Sequence, residues 1–284
     1  MRAVAMPHLL LRRYRKALIN TVGLLIGVIF LLPIIWMLIT AISPVSSMGK
    51  FPPALFPAHP TGSNFVNAFS AYDFESFLRS SGIVCAIATG LVICLGSVAA
   101  YALARTKMRG RFGILVALLV VSTFPSLSVV TPLYTIYRVV GILNTYQALI
   151  IPYTALNLPF AIWLMRNYFV RIPFELEESG QVDGASWFTI IVRLILPQAL
   201  PGMFVAATLT FAACWQEFFM CLVFNTLSGH QTVPVGISLM TSYSGVPYPT
   251  VFAACIVALV PITVLVLLMR KWIIGGGIQG AVKG

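Results

Sequence analysis

From Leu18 to Ile42 the chain runs for 25 residues without a charged side chain. As a helix rising about 1.5 Å per residue this stretch is about 37 Å long, enough to cross a hydrocarbon core of about 30 Å. Five more apolar segments follow, near 77–104, 112–133, 148–168, 202–224 and 251–269. Inside a bilayer each backbone N–H and C=O must be paired within its own segment, which favours helices. The expected fold class is therefore all-α, a polytopic membrane protein with six transmembrane helices. The composition agrees: 59% of residues are hydrophobic and 9% charged, against about a quarter charged in soluble proteins. A signal peptide would also place basic residues before an apolar core, but its core runs to only about 7–15 residues, so the first segment is expected to be retained. Gly82, Gly90, Gly96, Ala99 and Ala100 offer small side chains for close helix packing in the second segment. Pro125 and Pro132 interrupt the third, whose outer end is expected to be irregular.

A formal net charge of +11 could point to nucleic acid, so the placement of the charge matters. The basic residues sit in short runs beside the apolar segments, without an aromatic-interleaved basic face. With both termini inside, the inner side carries fifteen of the eighteen Lys and Arg. These are Arg2, Arg12, Arg13, Arg15 and Lys16 in the tail, then Arg105, Lys107, Arg109 and Arg111 after the second segment. Arg166, Arg171 and Arg193 surround a polar interval, and Arg270, Lys271 and Lys283 lie at the end. Only Lys50, Arg79 and Arg138 fall outside. This asymmetry follows the positive-inside rule, so both termini are expected in the cytoplasm and no nucleic acid is expected as a partner. The chain then divides into a basic tail over 1–16, a first span and Pro-rich external loop over 17–76, a five-span core over 77–272 and a tail over 273–284. Cys85, Cys94, Cys214, Cys221 and Cys255 all lie in apolar segments without a C-x-x-C pair and read as small hydrophobes. His8, His59 and His230 are isolated, so no metal site is expected.

The polar interval, Ile172 to Pro201, holds four of the seven acidic residues: Glu175, Glu177, Glu178 and Asp183. Pro173 suits the first turn of a helix, and the three glutamates then fall near the positive end of its dipole. Asp183-Gly184 is a turn signal, and Ser186 a helix cap. Trp187, Ile190, Ile191 and Leu194 follow i, i+3, i+4, i+7 spacing and predict one apolar face on a second helix. The interval reads as a helix–turn–helix elbow between the fourth and fifth spans.

This elbow resembles the cytoplasmic loop of ABC importer permeases, which reads E-A-A, three residues, G, nine residues, I-x-L-P. Glu178-Ser179-Gly180 stands at E-A-A, Gly184 at the glycine, and Leu194, Leu196 and Pro197 at I-x-L-P. Asp183-Gly184-Ala185-Ser186 looks like the D-G-A-[ST] form of carbohydrate permeases of the maltose/trehalose type. Ser179 and Gly180 depart from the paired alanines, and Gly180 weakens a helix by roughly 1 kcal/mol relative to Ala. Ala99 to Arg105 is similar to the family's A-A-Y-A-x-A-R run, and Gly280 to Gly284 to its G-A-V-K-G terminus. The resemblance implies a permease subunit forming half of the path for a sugar or oligosaccharide in the cytoplasmic (plasma) membrane of a prokaryote. It implies a second homologous permease, two cytoplasmic ATPase subunits and an external solute-binding protein. Glu178, Ser179, Gly180, Asp183, Gly184 and Ala185 would contact the ATPase. The chain has no G-x-x-x-x-G-K-[ST] run, so ATP would be held by the partner, and no cofactor or catalytic residue is expected here. A permease for another solute, such as glycerol phosphate, a membrane-embedded enzyme and a stand-alone carrier are the competing readings.

Glu217 lies about 15 residues into the fifth span, roughly 22 Å along a continuous helix. An ionisable group at that depth faces protein or water. Trp215-Gln216-Glu217-Phe218 is similar to the W-N-E-F run of sugar permeases. Trp215, Gln216 and Glu217 could line a polyol path, or Glu217 could pair with a neighbouring helix. Asn157, before Leu158-Pro159, is either a second lining residue or part of a helix kink.

Overall fold

The structure, a computed structural model, describes residues 6–48, 55–227, 229–241 and 246–281, and among them there is no strand. The helices are α1 (Met6–Ala41), α2 (Ser63–Tyr72), α3 (Phe74–Arg105), α4 (Arg111–Ser122), α5 (Leu127–Val140), α6 (Gln147–Phe169), α7 (Glu175–Val182), the single turn α8 (Trp187–Thr189), α9 (Leu196–Trp215), α10 (Phe219–Phe224), α11 (Val233–Met240) and α12 (Tyr248–Ala281). A π-helical segment, Ile190–Ile195, joins α8 to α9. Among the described residues five stretches are long and apolar enough to cross a membrane: Tyr14–Ala41, Phe74–Arg105, Gln147–Phe169, Trp187–Trp215 and Tyr248–Trp272. A sixth exists if α4 and α5 count as one span, but they meet at 87°. Of the two expected interruptions only Pro125 falls at this break, for Pro132 lies inside α5 without ending it. Pro125 lies in the connection, where its ring and missing N–H stop α4 from continuing. The irregularity therefore falls in the middle of the expected third span rather than at its outer end, and α5 continues past Leu133 to Val140.

The chain forms two compact units. The first comprises Met1–Ala71 and Tyr243–Val257. In it Asn64 is buried, and its amide donates to the carbonyls of Ala41 and Ser43, each at 2.8 Å. These carbonyls lie at the end of α1, where helix geometry leaves acceptors unpaired. The expected external loop thus contains a helix, α2, whose first turn secures the end of the first span. Lys50, Pro52 and Pro53 of that loop lie outside the described residues.

The second unit comprises Tyr72–Ser242 and Ala258–Gly284. Its core lies where α3, α6 and α9 pack together, around Val92, Ala100, Ile162, Met165, Phe169 and Ala206. Small residues matter here only at some of the expected places. A Cβ on Gly96 would meet Met165 Cε at 2.7 Å, so Gly96 brings α3 close to α6, whereas Gly82 and Gly90 have open space around them. Gly202 does the same for α9, since a Cβ there would collide with the Tyr168 ring of α6. Serines join the elements that follow: Ser81 Oγ accepts the Val233 N–H at 2.8 Å, and Ser80 Oγ donates to the Gly229 carbonyl at 3.0 Å.

Candidate functional site

The elbow leaves α6 at Phe169 and rejoins the bundle through α9, and its turn is built from two caps. After α7, the Gly184 N–H donates to the Gln181 carbonyl and the Ala185 N–H to that of Gly180, both at 3.0 Å. This pair of bonds is a Schellman ending, with Gly184 at φ +74° in the left-handed position. Ser186 then caps α8, its Oγ accepting the Thr189 N–H at 3.2 Å. Asp183-Gly184-Ala185-Ser186 therefore stops one helix and starts the next within four residues. Pro173 lies two residues ahead of α7 rather than in its first turn, and Phe174 takes the cap position.

An ion pair holds the elbow from within. Glu177 is fully buried, and its Oε1 lies 2.6 Å from Arg105 Nε at the end of α3. The contact is ionic rather than an aligned hydrogen bond, for neither atom has a hydrogen-bond partner among the described residues. Tyr101 Oη, one turn earlier on α3, donates to Glu177 Oε2 at 3.3 Å. Arg105 Nη2 donates to the Ile172 carbonyl at 2.9 Å. The Tyr101 ring meets Phe169 edge-on at 5.8 Å. The A-A-Y-A-x-A-R run thus reaches the elbow through its Tyr and its Arg. Sequence reasoning placed Arg105 among the charges of a turn and gave Glu177 no partner. The available signal was a second glutamate beside the motif glutamate and an arginine closing an apolar run.

Gly180 is buried rather than presented at the surface. A Cβ there would meet Leu194 at 2.9 Å and Ile190 at 3.0 Å, so the glycine that weakens α7 lets it lie against the π segment. That segment also overturns the predicted apolar face. The Leu196 N–H bonds the Ile191 carbonyl five residues back, and the wider turn breaks the α-helical phase. Ile190 is buried, but Trp187 is 56% exposed. Glu178, Ser179, Asp183 and Gly184 are exposed and Ala185 is half-buried. Exposed Val182 and Phe188 stand with them, so the elbow presents both charge and apolar surface.

The second candidate lies where the fifth span breaks. α9 ends at Trp215, and Glu217 stands in the gap before α10, not on a continuous helix. Its carboxylate accepts the Met220 N–H at 2.9 Å, the Cys221 N–H at 3.4 Å and the Tyr153 hydroxyl of α6 at 2.6 Å. The positive end of α10 and a phenol thus take the place of a cation. A cavity of about 270 Å³ adjoins this carboxylate, lined among others by Glu217, Tyr153, Asn157 and, from the α4–α5 break, Ser122, Phe124 and Ser126. Glu217 therefore both pairs with a neighbouring helix and lines a cavity. Asn157 also does two things: it borders the cavity, and its Nδ2 donates to the Tyr153 carbonyl at 2.7 Å. Trp215 and Gln216 are not in the lining. The Trp215 indole donates to the Ala258 carbonyl of α12 at 3.2 Å, and Gln216 is exposed. Tyr153, Ser122 and Ser126 escaped the sequence reading, although two serines around a proline inside an apolar segment were a visible signal. Among the described residues no group of His, Cys, Asp and Glu is arranged to hold a metal.

Long apolar helices, two of them broken beside a polar cavity, and a capped elbow outside the bundle define a membrane transport component. The profile of the binding-protein-dependent transport system inner membrane component family matches residues 92–275, and the chain belongs to that family. It is accordingly a permease component of an ABC importer and not an enzyme. It is 35% identical to the sulfoquinovosyl glycerol transport system permease protein SmoH of Agrobacterium fabrum, over 89% of each chain. It is 34% identical to the trehalose/maltose transport system permease protein MalG of Thermococcus litoralis, over 95% of this chain and 98% of that one. It is 36% identical to the trehalose transport system permease protein SugB of Mycobacterium tuberculosis, over 89% and 93%. The fold is similar to a chain in the crystal structure of a bacterial ABC transporter involved in the import of the acidic polysaccharide alginate. The TM-score is 0.76 at 20% identity, covering 91% of this chain and 96% of that one.

Proposed function

We propose that the chain is one of two homologous permease halves of an ATP-driven importer for a sugar or oligosaccharide. It crosses the plasma membrane six times, with α4 and α5 counted as one broken span, and both termini and the elbow are cytoplasmic. Two ATPase subunits receive the elbow, whose Glu178, Asp183, Trp187 and Phe188 offer the contact surface. An external solute-binding protein delivers the solute. ATP stays on the partner subunits, and this chain carries no cofactor of its own.

The single observation that carries the solute class is the lining of the cavity at Glu217. It contains hydroxyls, an amide, an aromatic ring and one carboxylate, with no Lys or Arg. Hydroxyl-rich solutes bond to such groups, while a carboxylate with no Lys or Arg beside it in the lining repels phosphate, which disfavours glycerol phosphate. The names of the three relatives above point the same way, since each contains a sugar or a glycosyl group. Purification of the tagged chain in mild detergent tests the assembly, with an ATPase and a second permease expected to co-purify. Vesicles holding that complex are expected to take up a neutral di- or oligosaccharide when supplied with ATP and the binding protein. Isolation of the chain alone under conditions that preserve membrane complexes would remove the assembly claim, and uptake confined to anionic solutes would remove the sugar claim.

A further inference from the structure

The elbow has a concave side that none of these contacts uses. A cavity of about 880 Å³ opens between the end of α6, α7, the start of α9 and the C-terminal part of α12. Its polar wall includes Arg171, Lys271, Gln198 and Glu175, with Tyr168 and Trp272 beside them. Each cation rests against an aromatic face: Arg171 Cζ is 5.6 Å from the Tyr168 ring centroid, and Lys271 Nζ is 5.0 Å from that of Trp272. Among the described residues neither cation forms an ion pair. Two cations against one carboxylate leave the wall with a net positive charge.

Position narrows the ligand. Tyr168 is the penultimate residue of α6, and Trp272 closes the apolar stretch Tyr248–Trp272, so the cavity lies where these spans leave the hydrocarbon. Basic and aromatic side chains collect at that level. Leu268, Leu267 and Val264 precede Lys271 by three, four and seven residues, which puts them on its face of α12, and all three are exposed. An anionic head in the cavity would therefore continue into an apolar surface long enough for the first part of an acyl chain. A soluble phosphate would use the cations and leave that surface empty. A protein partner would have to follow α12 towards the hydrocarbon to cover it.

We propose that this cavity binds the phosphodiester headgroup of an anionic phospholipid from the leaflet bordering the elbow. The proposal rests on the membrane embedding of α6 and α12 and not on the identity of the transported solute. The bound lipid bridges α7 of the elbow to α12 at Lys271 and Trp272.

Native mass spectrometry of the full chain in mild detergent tests this, with phosphatidylglycerol and phosphatidylcholine of identical acyl chains as probes. Phosphatidylglycerol is expected to be retained preferentially. Arg171→Gln and Lys271→Gln each lower its retention about fivefold, the typical weight of one basic residue at an anionic surface, and leave phosphatidylcholine unchanged. Arg171→Lys and Lys271→Arg keep the preference, and circular dichroism confirms that every variant is folded. Equal retention of the two lipids, or a preference unmoved by both charge removals, overturns the proposal. Displacement of phosphatidylglycerol by equimolar glycerol 1-phosphate would assign the cavity to a free phosphate ester instead. Loss of the preference in complexes that retain the ATPase would assign it to that partner. Lipid retention is read without transport, so failure here leaves the proposed function untouched.

Discussion

Glu177→Gln isolates what the buried ion pair does for the elbow. Glutamine keeps the shape of the side chain and removes the charge facing Arg105, whose own side chain is 10% exposed. Stranding one member of a buried pair costs about 3–5 kcal/mol. Arg105 keeps its bond to the Ile172 carbonyl and lies 5.9 Å from the Phe174 ring centroid, which favours the lower end, about 3 kcal/mol. At about 1.4 kcal/mol per factor of ten, the opened elbow becomes about a hundredfold more populated. The spans do not depend on this pair, so the chain is expected to insert with unchanged helicity. Uptake per assembled complex falls, while trypsin cleavage after Arg171 and Arg193, both exposed, accelerates. With opening fast relative to cleavage, that rate reports the open population. Arg105→Met alone gives a similar loss. The double change to Glu177→Gln and Arg105→Met removes both charges and regains much of the protection. The expected coupling energy in this cycle is at least about 2 kcal/mol. A coupling energy near zero, or wild-type protection in Glu177→Gln, would refute the claim that the pair holds the elbow.

Three further outcomes are expected. Gly184→Val leaves an inserted, folded chain without uptake: no atom lies within 4 Å of the added Cβ, so the damage comes from a left-handed backbone at φ +74°, about 1–2 kcal/mol before any β-branching. Gly184→Asn, which tolerates that conformation, retains part of the uptake, and normal uptake by the Val variant would remove the coupling role of the turn. Glu217→Gln retains part of the uptake because its amide oxygen still accepts from the Tyr153 hydroxyl or the Met220 N–H. Glu217→Ala strands those donors at about 1–3 kcal/mol each and loses nearly all uptake, and full uptake at normal assembly would show that the carboxylate does neither job. In sealed cells an impermeant thiol reagent modifies cysteine placed at Ser63 and spares cysteine placed at Met108 or Ser186; modification at Ser186 would reverse the orientation.

The apolar runs announced the helices because a bilayer leaves the backbone few other choices, and the structure ends α3 and α6 within a few residues of the expected limits. The D-G-A-S turn was equally readable, since its glycine and serine act on their own backbone. Long-range partners were less visible. Nothing near Glu177 in the sequence names Arg105, 72 positions earlier, and nothing near Glu217 names Tyr153, 64 positions earlier. The breaks at Pro125 and Gln216 set the cavity, yet only the first left a local mark. The second has no proline or glycine, and Glu217 makes it tenable by capping the helix that follows.

The π segment changes what the spacing of the elbow motif measures. The nine residues between Gly184 and Leu194 include most of a wide turn, so the interval carries a residue that an α-helix would not need. Deleting one position among Ile190–Ile195 would let the segment close as α-helix with its backbone still bonded. Because a π turn holds about one residue more than an α turn, that deletion would leave the elbow near its present angle to α9, whereas a residue lost from the regular helix of α9 would rotate the elbow by about 100° and draw it in by about 1.5 Å. In that second case Trp187 and Phe188 would point elsewhere relative to the bundle. Exchange of one apolar residue for another, such as Leu194 standing at the motif's isoleucine, preserves the geometry. The interval is therefore tolerant of substitution, and one residue of its length is taken up by the wide turn rather than by the reach of the elbow.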